Sequence, residues 1–193
     1  MSTERIRGLT LIRPWAWAIA CAGKDVENRT WEPPRAMVGG WLAIHAGKKW
    51  DQDAADSIAD TFGVQVPSER EQPSGVIIAV ARLAGVVRDS ESPWFGGPVG
   101  WTLAQVVQLP TPVACRGAQG LWTLPESVLE RVHAGWAAAR GPVHELPLPG
   151  CWRRHQRVRP VSLPPLAHLG GGLGRAPRAL RHAQPEHREW HPG

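Results

Sequence analysis

The stretch that decides the fold is LTLIRPWAWAIACAGKDVENRTW, residues 9–31. Its opening, Leu9–Ile12, is apolar and β-branched and reads as a strand. Pro14 suits the first helical position, where its missing N–H removes no helix hydrogen bond. The apolar run WAWAIACA follows, and Gly23 stands where a helix would stop. Beyond that stop, Lys24, Glu27 and Arg29 fall within six positions. If residues 27–29 are extended, Glu27 and Arg29 share one face, because strand side chains alternate. Lys24, at the turn, reaches the same space. An amine, a carboxylate and a guanidinium converging on one concavity can hold a polar planar ligand, fix one another's charge states, or shift a desolvated lysine toward general-base use. The same three residues on an open surface would form an ion cluster of little energetic consequence.

Outward from this stretch the pattern is of short strands with a few helices. GWLAIHA, residues 40–46, is an apolar strand segment. Asp51 is placed to cap a helix running to Phe62, with Asp53 near its positive end and Gly63 beyond its C-terminus. GVIIAVARLAGVV, residues 75–87, is the longest β-branched run, interrupted at Gly85 as by a bulge. Further strands are expected at about 99–109 and 119–124. A last helix starts at Pro125, with Val128, Leu129, Val132 and Trp136 on one face. Several strands with irregular connections and three helices predict an α+β fold, a small and partly closed β-barrel with helices packed around it. No internal repeat, P-loop, GxSxG or HExxH pattern is present.

Composition narrows the class. The chain has 193 residues, about one domain's worth, with 42% hydrophobic and 20% charged residues, which excludes disorder of the whole chain. No apolar run approaches the ~18 residues that span a bilayer, and the charged start, MSTERIRG, lacks the apolar region of a signal peptide. No membrane association is expected. Cys21, Cys115 and Cys151 are odd in number, widely spaced and without a CxxC pair, which argues against a disulfide framework or zinc knuckle and suits a reducing cytoplasm. No metal or cofactor is expected.

The net charge of +5 is unevenly placed. From Gly150 onward eight arginines face only Glu186 and Glu189, a net of +6, whereas residues 1–149 hold 14 basic and 15 acidic residues, a net of −1. The Pro-, Gly-, Arg- and His-rich segment 150–193 reads as a flexible, disordered basic tail, able to contact phosphates non-specifically. Residues 1–149 form the folded domain. Its neutral body carries no basic face, so nucleic-acid binding by the body must come from a local pocket.

Four separated blocks, residues 9–31, 40–51 (GWLAIHAGKKWD), 92–103 (SPWFGGPVGWTL) and 116–122 (RGAQGLW), occur in an order that resembles the ASCH family of the PUA-like superfamily. The family signature, G-x-K-x-x-E-x-R, is matched by Lys24, Glu27 and Arg29; Ala22 stands in place of its first glycine, and Gly23 follows. The resemblance covers residues 8–124 and implies a PUA-like barrel with a cleft between barrel and first helix. That cleft would accommodate RNA or a modified nucleotide. Carried over by position, Lys24, Glu27 and Arg29 line the cleft, and the strand through residues 40–49 would bring His45 and Lys48 near it. Trp31, Trp94 and Trp101 lie beside Gly, Pro or the signature, where aromatic rings can stack on bases. Trp15, Trp17, Trp41, Trp122 and Trp136 fall in regular elements and are expected in the core. In RGAQGLW, Arg116 and Gln119 carry the donors and acceptors that read base edges, and Gly117 and Gly120 would permit close backbone approach.

Two further classes compete with a binding module. Some small relatives in the family hydrolyse the amide of an acetylated cytidine with a lysine, a threonine and a glutamate. Lys24 matches that lysine, but Glu27 stands where the threonine would be, and the family's catalytic glutamate has no aligned counterpart. Lys24 with Glu27 would then have to supply the base. A protein-interaction domain using a Trp-rich face is the third class, though no partner motif marks it.

Overall fold

The computed structural model describes residues 6–141. The tail assigned to residues 150–193, and the boundary at 149, lie outside the described residues. Ten elements follow in order: β1 (Ile6–Arg13), α1 (Trp15–Cys21), β2 (Val26–Arg29), a 3₁₀ turn (Arg35–Met37), β3 (Trp41–Trp50), α2 (Gln52–Phe62), β4 (Val76–Val87), β5 (Val99–Ala114), β6 (Leu121–Thr123) and α3 (Glu126–Arg140). The six strands form one sheet in the order β2-β5-β4-β3-β1-β6. Only β1 and β3 pair in parallel; the other neighbours are antiparallel.

The expected α+β class is therefore observed, but the barrel is not. The sheet is open, with β2 and β6 as its two ends. These strands are four and three residues long and do not pair with one another. At the β2 end, Asn28 holds a loop: its Nδ2 donates to the Trp94 carbonyl at 2.8 Å, and Gly96 N–H donates to its Oδ1 at 2.9 Å. A side-chain amide of β2 thus ties this end of the sheet to the loop before β5.

Local signals account for most boundaries. Asp51 Oδ1 accepts from Ala54 N–H at 3.0 Å and caps α2, and Gly63, with φ at 61°, ends that helix in the left-handed region. Gly23, φ 72°, performs the same turn after α1. Pro14 lies one position earlier than expected, at the N-cap, and α1 begins at Trp15. The pairing of β4 with β5 shifts register between Leu83 and Gly85, at the expected bulge.

Alternation on the long central strands divides the core in two. On one face Leu9, Leu11, Leu42, Ile44, Leu83 and Trp101 pack with Ala16 and Ile19 of α1. On the other, Ile6, Trp41, Ala43, Val80, Leu109 and Trp122 pack with Val128, Val132 and Trp136 of α3. A third cluster joins Ile58 of α2 to Trp17, Ala18, Val26 and Trp94. A buried arginine ties the frame together. Arg13 donates to the carbonyls of Gly47 (3.0 Å) and Lys48 (2.8 Å) on β3, and to those of Glu69 (2.9 Å) and Gln72 (3.1 Å) in the turn before β4. It also meets the Glu69 carboxylate at 3.3 Å. All of this anchors the segment between α2 and β4, which has little regular structure of its own.

Candidate functional site

The chain leaves α1 through a tight cap: the N–H groups of both Ala22 and Lys24 donate to the Ala18 carbonyl, each at 3.0 Å. Val26–Arg29 then pairs with β5, Glu27 opposite Trp101. This short path from helix stop to edge strand brings Lys24, Glu27 and Arg29 together. Lys24 Nζ lies 3.4 Å from Glu27 Oε2, and Arg29 Nε lies 3.3 Å from Glu27 Oε1. The side chains of Lys24 and Glu27 are each only 2% exposed, and that of Arg29 12%. A surface ion cluster is excluded. Glu27 is the shared anion between two cations, the arrangement that lets buried charges persist.

The three groups are not equally occupied. Lys24 Nζ also donates to the Val26 carbonyl and stands over the rings of Trp15 (5.5 Å) and Trp94 (5.9 Å). The Arg29 guanidinium lies 5.8 Å from the Trp101 ring. Glu27 Oε1, Arg29 Nε and Arg29 Nη2 are buried yet make no hydrogen bond, since the 3.3 Å approach of Oε1 and Nε lacks hydrogen-bond alignment. Burial holds the Lys24 pKa below the ordinary lysine value of 10.5, outweighing the opposite pull of Glu27. One end of the cluster is thus a fixed lysine–carboxylate pair, and the other holds an acceptor beside donors without partners.

Among the three loop tryptophans, only Trp31 is placed to meet a ligand. It is 37% exposed, its carbonyl accepts from Trp101 Nε1 at 3.1 Å, and its ring meets that of Trp101 edge-on at 4.7 Å. Trp101 is wholly buried. Trp94 is 5% exposed and stacks on Phe62 at 3.8 Å, so it is a core residue rather than a free platform. Trp17, Trp41, Trp122 and Trp136 are buried as expected, and Trp15 is half-buried.

The remaining candidates lie apart from the triad. Whereas Arg29 packs on Trp101 at the α1 face, His45 sits on the α3 face, its ring 5.8 Å from Trp122. His45 Nε2 is 3.2 Å from the Cys115 carbonyl, and burial depresses its pKa, with that contact opposing. A Cβ on Gly117 would stand 2.6 Å from His45 Cε1 and from Thr10 Oγ1. Gly117 does permit close backbone approach, but to a histidine of its own chain. Lys48 is exposed at the end of β3, and Arg116 and Gln119 are exposed on the loop before β6. Sequence reasoning missed Arg13. Its position just before the first helix held no pattern pointing to carbonyls 34 to 59 residues away.

No family model matches the chain, and no curated protein matches it either. Among solved structures the chain is similar to ASCH from Zymomonas mobilis, with a TM-score of 0.43 and 16% identity over 68% of this chain and 95% of that one. A serine-to-alanine mutant of that protein gives 0.42 and 16% over 69% and 98%, and a tyrosine-to-phenylalanine mutant 0.41 and 16% over 67% and 96%. All three are ASCH proteins. Among the described residues no helix is long and apolar enough to cross a membrane, and no group of three His, Cys, Asp or Glu side chains could hold a metal ion.

Proposed function

We propose that this chain is an ASCH-type module that binds RNA or a modified nucleotide at the Lys24–Glu27–Arg29 cluster, with Trp31 at its rim. The observation that carries this reading is the set of buried atoms without hydrogen-bond partners, Glu27 Oε1, Arg29 Nε and Arg29 Nη2, beside an exposed tryptophan. Buried polar atoms are nearly always paired in folded proteins, and those left unpaired mark a ligand position or a strained one. Stacking on Trp31 would contribute ~1–3 kcal/mol per base. The sequence resemblance to the ASCH family supports the same ligand class. In this reading the tail from residue 150 adds salt-sensitive, non-specific phosphate contacts, and His45, Lys48, Arg116 and Gln119 play no part in the cluster itself.

One observation favours the amidohydrolase alternative: a lysine held below its usual pKa by burial is nearer to serving as a base. A single experiment separates the two. Acetyl release from an acetylated cytidine is measured for the wild-type chain and for Lys24→Arg, alongside nucleoside binding to each. No turnover, with binding partly kept in Lys24→Arg, is the expected result. Turnover that disappears in Lys24→Arg, whose guanidinium cannot give up its proton, would establish the hydrolase instead. Binding untouched by Lys24→Ala, Glu27→Gln and Arg29→Ala alike would remove the cluster from both accounts.

A further inference from the structure

The free atoms of the cluster specify more than a nucleotide. Resting on the binding reading above, we infer that Glu27 Oε1 and Arg29 Nη2 read the polar edge of a base, an N–H group beside a carbonyl or ring-nitrogen acceptor, and that they do not hold a phosphate. Lys24, the cation best suited to a phosphate as a compact point charge, is already committed. Its Nζ donates to the Val26 carbonyl and pairs with Glu27 Oε2, with 2% of its side chain exposed. The cation that remains, Arg29, carries a carboxylate oxygen 3.3 Å from its Nε. A phosphate drawn to Arg29 would therefore be brought against Glu27, and like charges at that separation repel strongly where water is excluded.

A base edge meets neither objection. An N–H donor satisfies Glu27 Oε1, and the neighbouring acceptor takes a guanidinium N–H, so two of the three orphaned atoms gain partners at once. The atoms are buried, and Arg29 is the most exposed side chain of the three, so the base approaches from the Arg29 end of the cluster. Trp31 at the rim then offers the ring face on which the base rests.

The test uses the full chain and pairs of tetranucleotides of equal charge: tetrauridylate against its 3-methyluridine analogue, and tetracytidylate against its N4,N4-dimethylcytidine analogue. Equal charge cancels whatever the basic tail and the sugar–phosphate backbone contribute to the ratio. Methylation removes the N–H and leaves a buried, charged acceptor unpaired, so at least one parent is expected to bind about tenfold or more tighter than its analogue. In Glu27→Gln that ratio should fall toward one. If the variant does not fold, the wild-type ratio decides alone. Parents and analogues binding within about threefold of each other would overturn the edge reading while leaving nucleic-acid binding intact, and so would ribose 5-phosphate competing as well as the parent nucleoside. No binding by any tetranucleotide would overturn both.

Discussion

Replacing Glu27 by glutamine removes the shared anion of the cluster while nearly keeping its shape. Lys24 and Arg29 would then face each other across a neutral amide, with Lys24 buried. Removing one partner of a buried ion pair costs about 3–5 kcal/mol, because the remaining charge stays desolvated. At the ~2–4 °C per kcal/mol typical of a domain near 150 residues, the melting temperature should fall by roughly 6–20 °C. The loss should also depend on pH, with a definite sign. The Lys24 pKa in the folded chain already lies below the 10.5 of the unfolded chain. Between those two values the unfolded chain holds a proton that the folded chain has released, so stability rises with pH across that window. Without Glu27, which pulls the folded pKa upward, the window opens at lower pH. The variant should therefore recover part of its deficit as pH rises, because a neutral Lys24 needs no counter-charge. Urea unfolding of both proteins from pH 6 to 9.5 measures this directly. A deficit below about 1 kcal/mol at pH 7, a loss more typical of surface pairs, or one that stays constant or grows with pH, would refute the view of Glu27 as a buried counter-ion.

Other expectations follow from the frame. Arg13→Met should cost about 3–5 kcal/mol by leaving four carbonyls without their shared donor, whereas Glu69→Gln, whose side chain is 56% exposed, should cost under about 1 kcal/mol; equal losses in chemical denaturation would mean that the ion pair rather than the carbonyl contacts does the anchoring. Gly8→Ala should displace Trp122, whose ring lies where the new methyl would go, at about 1–3 kcal/mol, and an unchanged near-ultraviolet dichroism spectrum would contradict that packing. Truncation after Pro149 should flatten the log–log salt dependence of single-strand binding by about 0.7 per lost phosphate contact, leaving a salt-tolerant remainder; a slope unchanged by truncation would place the phosphate contacts in the body.

The features readable in the sequence were those decided by a few neighbouring residues. Asp51 and Gly63 bracket α2 because a cap and a left-handed stop act within one turn, and Gly85 marks a bulge because a strand interior tolerates glycine poorly. The approach of Lys24, Glu27 and Arg29 was visible for the same reason, being a helix stop followed by strand alternation. What escaped depends on pairing across the chain. Whether the sheet closes rests on which strands pair, and β2 and β6 end it unpaired with each other. His45 and Glu27 lie on different faces because of the register that sets Thr10 opposite His45 in one strand pair and Trp101 opposite Glu27 in another. Trp94 and Trp101 looked like loop aromatics from their glycine and proline neighbours, but α2 and β5 enclose them. Arg13 went unmarked because its partners are backbone carbonyls, which have no sequence identity to read.

The cap at the end of α1 gives the spacing of the charged residues a meaning of its own. Lys24 closes the helix with its backbone and supplies the buried cation with its side chain, and only Asp25 and Val26 separate it from Glu27. The interval between these two charges is therefore a length of chain, set by the distance from a helix end to an edge strand. Exchanges at Asp25, which is exposed, leave that length unchanged. One residue inserted or deleted between Lys24 and Glu27 would turn Glu27 to the opposite face of β2, away from the capping lysine. Asp25 can change without moving either charge, but the number of residues between them cannot.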